Sequence, residues 1–103
     1  MKTEMEVWEL RERARRLRVG LARLREALQR AENKRIVAQR LLDEINKAYE
    51  EGLLDHSTMT RWSRGISVWL FSAKYKAEEL KVKIKEKEIE LQKILYEAGG
   101  EQP

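Results

Sequence analysis

Apolar residues recur every three or four positions along nearly the whole chain. In the first half they fall at Val7, Leu10, Ala14, Leu17, Leu21, Leu24, Leu28, Ala31, Ala38, Leu42, Ile45 and Tyr49, broken at Arg35. The spacing resumes at Met59 and runs through Ile66, Leu70, Ala73, Ala77, Leu80, Ile84, Leu91, Ile94 and Ala98, with breaks at Ser63 and Lys87. A mean spacing of ~3.5 residues held over about six heptads marks a coiled-coil seam, not the alternation of a strand. The pattern predicts an all-α fold, a long antiparallel two-helix coiled-coil hairpin.

The stretch "YEEGLLDHSTMTRWSRG", residues 49–65, separates the two patterned segments. Gly52 reads as the residue just past a helix end, where a left-handed backbone costs glycine no Cβ clash. Asp55 reads as the N-cap of the next helix, its carboxylate accepting backbone N–H groups. Leu53 and Leu54 are expected to cover the end of the seam. The boundaries are helix 1 over about 3–51, a turn at 52–55 and helix 2 over about 56–98, in one domain spanning 1–103. So short a connection makes the helices antiparallel neighbours.

Setting Tyr49 opposite Met59 gives a register that can be checked internally. Leu10 then meets Ala98, Ala14 meets Ile94, Leu17 meets Leu91, Leu24 meets Ile84 and Leu28 meets Leu80. Arg35 falls opposite the small Ala73, leaving its stem room to reach outward. Lys87 falls beside Leu21 and Gly20. At the flanks Arg18 faces Glu88, Glu32 faces Lys74 and Arg13 faces Glu97, while Arg25 opposite Lys81 is a mismatch.

A second apolar row lies on helix 2 alone. Val68, Tyr75, Val82, Ile89 and Tyr96 repeat at intervals of seven, with Phe71 beside them. The row lies nearly opposite the seam, whereas the corresponding positions of helix 1 include Glu12, Glu26, Asn33, Arg40 and Lys47. A helix with two opposed apolar faces is one held between partners. The expectation is a homodimer, a four-helix assembly with Val68, Phe71, Tyr75, Val82, Ile89 and Tyr96 at the interface. A twofold axis at Val82 pairs Val68 with Tyr96 and Tyr75 with Ile89, as an isologous interface requires. A different protein partner is the alternative occupant.

Composition narrows the classes. The 103 residues are 39% charged and 42% hydrophobic, which suits long helices rather than sheets. With no cysteine there is no disulfide, no thiolate nucleophile and no cysteine-bound metal. The opening "MKTEMEVWEL" does not read as a signal peptide, and no apolar run approaches the ~18 residues of a membrane span. The expectation is a soluble, cytoplasmic protein that does not enter a membrane. Abundant Glu, Lys and Arg with few Asn and Gln also fit a thermophile.

Little in the chain resembles catalytic chemistry. Asp55-His56-Ser57 are consecutive at a helix start, so their side chains diverge and cannot form a proton relay. His56 is the only histidine, so no second imidazole is available for a metal. The reading is therefore a non-enzyme with no cofactor. Trp62 and Trp69 either close the hairpin tip over Leu41 and Ala48 or form a docking spot for a protein partner, a role tryptophan favours.

Residues 11–30 hold eight arginines against two glutamates, leaving +6 in a chain whose net charge is +4. Arg16, Arg23 and Arg30 form an outward row that could track phosphates. Glu12–Arg16 and Glu26–Arg30 are favourable pairs one turn apart, and the row lacks interleaved aromatics or a groove-reading motif. The sequence thus supports a structural or adaptor protein acting through self-association and protein contacts, with a nucleic-acid-binding hairpin as the alternative.

Overall fold

The structure, a computed structural model, describes residues 2–99. Residues 1 and 100–103 of the expected domain lie outside the described residues. Two helices account for nearly all the described chain, α1 at Glu4–Glu50 and α2 at His56–Glu97. They form a helical hairpin and pack against each other. No proline interrupts either helix, and the apolar seam supplies the tertiary packing that stabilises helices of this length.

The caps are local and specific. The Gly52 N–H donates to the Tyr49 carbonyl at 3.1 Å, and the Leu53 N–H donates to the Ala48 carbonyl at 2.9 Å. These are the two bonds of a Schellman motif, with Gly52 in the left-handed region at φ 77°. Asp55 starts α2, its Oδ1 accepting the Thr58 N–H at 2.8 Å. At the other helix start the Thr3 hydroxyl oxygen accepts the Glu6 N–H at 3.1 Å and donates to the Glu6 carboxylate at 3.2 Å. That arrangement is a relative of the capping box, which the heptad pattern does not reveal.

A Cβ built on Gly52 would meet nothing within 4 Å. A substitution there therefore costs only backbone energy. Gly52→Val should destabilise the protein by about 1 kcal/mol or more, measured by urea unfolding, because a β-branched residue resists positive φ. An unchanged midpoint would show that the chain can turn in another way.

Both helices pass through two compact units, 1–27 with 80–103, and 28–79. In the first, the terminal unit, Leu10, Ala14, Ile94, Leu95 and Ala98 form a buried cluster, with Leu17 and Leu91 packed against it. The start of α1 thus meets the end of α2, antiparallel, as the hairpin requires. Leu21, Leu80 and Ile84 are also buried there. Leu95 lies beside the expected seam rather than on it. Arg25, expected to face Lys81 unfavourably, instead reaches Glu88 at 3.5 Å, the glutamate that the register assigned to Arg18. A long guanidinium stem spans most of a helical turn, so ion pairs follow reach more than heptad position.

The second, the turn unit, buries Ala31, Ala38, Ile45, Leu70, Ala73 and Ala77. Four of these six are alanines, and small facing residues let helices approach closely. Arg35 is exposed, as its place opposite Ala73 implies, and pairs with Glu32 at 3.5 Å. Ser63 breaks the seam with a half-buried side chain whose hydroxyl has no hydrogen-bond partner. Leu53 is exposed and Leu54 half-buried, so the two do not together cover the seam end. Beside the turn, the Tyr49 ring lies 5.8 Å from that of His56.

Candidate interaction surface

The outer row of α2 is open to solvent in both units. In the turn unit Val68, Phe71 and Tyr75 are exposed, and in the terminal unit Val82, Ile89 and Tyr96 are exposed. Their exposure runs from 50% at Ile89 to 77% at Tyr75. α2 is amphipathic toward its seam, yet its far side repeats a second apolar line at intervals of seven. Single exposed apolar residues are ordinary, but a periodic line of five on one helix, with Phe71 beside it, is not. Phe71, Ser72, Lys74, Tyr75 and Glu78 line a shallow depression on this face. There the Lys74 ammonium sits 5.9 Å from the centre of the Phe71 ring, a cation–π arrangement at a solvent-exposed site.

Trp62 and Trp69 are 47% and 38% exposed, and Leu41 beside them in the register is also exposed. The two indoles therefore only partly close the hairpin near its turn and leave much of their area to solvent. Two further exposed apolar groups escape the heptad reading. Met5 and Trp8 lie near the start of α1, and Ile36 and Val37 in its turn-unit segment. Only their lack of charge among polar neighbours could have marked them.

The arginine row is exposed at Arg16 and Arg23 in the terminal unit and at Arg30 in the turn unit. Glu12 takes part of its charge. The Glu12 carboxylate accepts the Arg15 guanidinium at 2.6 Å and lies 3.5 Å from Arg16. The hydrogen bond from Arg15 holds the Glu12 carboxyl below the usual glutamate range, against the opposing effect of desolvation, and raises Arg15 in return. Glu12 thus stays ionised across the physiological range, and Arg16 shares its counter-charge.

Near the turn, Asp55 acts as a cap. Its hydrogen bonds from the Thr58 side chain and backbone keep its carboxyl below the ordinary aspartate range. A carboxyl depressed in the folded state stabilises the fold above its unfolded pKa. That contribution fades as pH falls through the depressed folded value. Wild type should therefore lose stability on acidification below the normal aspartate range. Asp55→Asn, which keeps a cap but not the titration, should show a shallower decline in thermal melts over the same pH series. Identical slopes would remove Asp55 from the acid response.

His56 and Ser57 follow on the exposed first turn of α2, lining a shallow depression with Thr60, Arg61 and Arg64. Among the described residues no group of three or more His, Asp or Glu side chains is placed to hold a metal ion. No described helix is long and apolar enough to cross a membrane. No family model matches the chain, and neither a curated protein nor a solved structure matches it. The fold and this surface define a two-helix hairpin with an uncovered apolar row.

Proposed function

We propose that this protein is a non-enzymatic structural or adaptor module that works by self-association through the outer row of α2. The observation that carries this reading is the exposed line Val68, Phe71, Tyr75, Val82, Ile89 and Tyr96. Leaving such a line in water forgoes apolar burial at ~25 cal/mol per Å², and a second copy offers a surface of the same chemistry. Trp62 and Trp69 supply a separate aromatic patch for a different protein partner, since half-exposed tryptophans are favoured anchors. Sedimentation of the wild type across a concentration series tests the reading. A species of twice the chain mass that dissociates on dilution is expected. A monomer at every concentration up to tens of micromolar would refute it.

The exposed Arg16, Arg23 and Arg30 favour a second reading, phosphate contact with a nucleic acid. Against it stand the Glu12 carboxylate on Arg15 and Arg16 and the absence of stacking aromatics in the row. Labelled duplex and single-stranded oligonucleotides are expected to show no saturable binding at ~50 mM salt, where electrostatic contacts are strongest. Binding that weakens steeply with salt and with loss of the three arginines would replace the adaptor reading.

A further inference from the structure

The exposed row of α2 has a symmetry that the self-association reading alone does not use, and the inference drawn from it rests on that reading. We infer that the row is covered by the same row of a second copy running antiparallel, with the twofold axis at Val82, so that the four helices lie side by side in a single row. The order across the assembly is α1, α2, the second copy's α2, then its α1.

The single row follows from the position of the apolar residues. Val82 and Ile89 are exposed while Leu80, Ile84 and Ile94 are buried on the same helix. The two sets fall on opposite sides of α2. A closed four-helix bundle needs apolar faces at roughly right angles on each helix, so that each touches two neighbours around a common core. Opposed faces instead place α2 between two flanking helices. The outward seven-residue row of α1 is polar at Glu12, Glu26, Asn33, Arg40 and Lys47, with Met5 and Val19 its exposed apolar exceptions, and so suits the outside of the row far better than the α2 line does.

Direction follows from side-chain size and charge. Antiparallel pairing sets Tyr96 opposite Val68 and Tyr75 opposite Ile89, each long ring against a shorter branched side chain, with Val82 against Val82. Large facing small keeps the helix spacing even and lets each phenol hydroxyl reach past its partner to solvent. Parallel pairing would stack Tyr75 on Tyr75 and Tyr96 on Tyr96, with the narrow Val82 pair between them. Beside the antiparallel row Glu78 approaches Lys85 of the second copy, once on each side of the axis, and opposite charges there are favourable. Glu79 would approach Glu86 across the interface, but Glu79 has Lys76 3.9 Å away on its own helix to offset it. The six row residues would bury on the order of 500 Å² per copy. With the flanking positions added, that approaches the roughly 800 Å² per partner of a stable interface.

Because the chain has no cysteine, single cysteines report proximity without background. V82C, V68C and Y96C, each in the full chain, would be oxidised alone and in mixtures in which one variant carries a mass tag. V82C is expected to give a covalent dimer. Mixed V68C and Y96C are expected to give the heterodimer in about tenfold excess over either homodimer, because thiols held far apart cannot be bridged. Efficient self-linking of V68C would overturn the antiparallel direction in favour of a parallel one. A non-covalent dimer in sedimentation that links at none of the three positions would overturn the placement on this row. A monomer in sedimentation would instead overturn the self-association reading on which the inference rests.

Discussion

Val82→Glu with Ile89→Glu should turn a dimer into a monomer at tens of micromolar, with helix content unchanged by circular dichroism. Both side chains are exposed in the single chain, so the introduced carboxylates remain hydrated there and the hairpin seam is untouched. Within an antiparallel interface centred on Val82, the carboxylates that Val82→Glu introduces on the two copies would be driven together in a desolvated strip. Burying unpaired charge costs several kcal/mol. Even about 3 kcal/mol weakens Kd by roughly a hundredfold. Val82→Glu alone should show a smaller shift of the same sign, and Tyr75→Glu should act like Ile89→Glu because the symmetry makes them opposite numbers. A dimer untouched by the double substitution would place the interface on another surface. Loss of helix content would show instead that the row stabilises the hairpin itself.

The hairpin was legible in the residues because each of its determinants is local or periodic. The three-and-four spacing requires only that one face of a helix be apolar. Gly52 and Asp55 act through bonds to residues within five positions, so their roles follow from residue type and place. Leu95 was not legible for the opposite reason. Its burial depends on how the last turns of α2 roll against Leu10 and Ala14, and a heptad count treats that angle as constant. The Arg25–Glu88 pair was missed because a flexible guanidinium chooses among several carboxylates within reach. Thr3 and Glu6 could have been read from their spacing, since a hydroxyl residue followed three positions later by glutamate before an apolar run is a known helix start.

The interaction surface was legible in part. Val68, Phe71, Tyr75, Val82, Ile89 and Tyr96 share a face in any helix, and that much needs no coordinates. Their solvent exposure needed the structure, because a third segment folding back could have covered them. Trp62 and Trp69 show the limit more sharply. Tryptophan beside a seam is compatible with closure or with display, and only the packing around Leu41 and Ala48 separates the two. Chemistry was illegible because heptads specify packing and carry no signature of substrate or partner. That is why the functional proposal rests on what is left uncovered.

The largest loss of stability is expected at Leu21, the bulkiest of the fully buried side chains at 2% exposure. Leu21→Ala removes three carbons from the terminal unit, where the core is one side chain deep and also holds Leu80 and Ile84. Losing a buried leucine to alanine costs about 2–5 kcal/mol, depending on how far the site collapses. Two helices without a third layer can close part of the gap, so the lower half of that range, roughly 2–3 kcal/mol, is expected here. Leu21→Met keeps the volume and should cost under about 1.5 kcal/mol. Leu91 is only half-buried, so Leu91→Ala should cost less than Leu21→Ala. The measurement is urea unfolding at one fixed protein concentration, because any linked dimerisation makes the midpoint depend on concentration. If Leu21→Ala unfolded no earlier than Leu91→Ala, burial at the seam would not be what holds the terminal unit together.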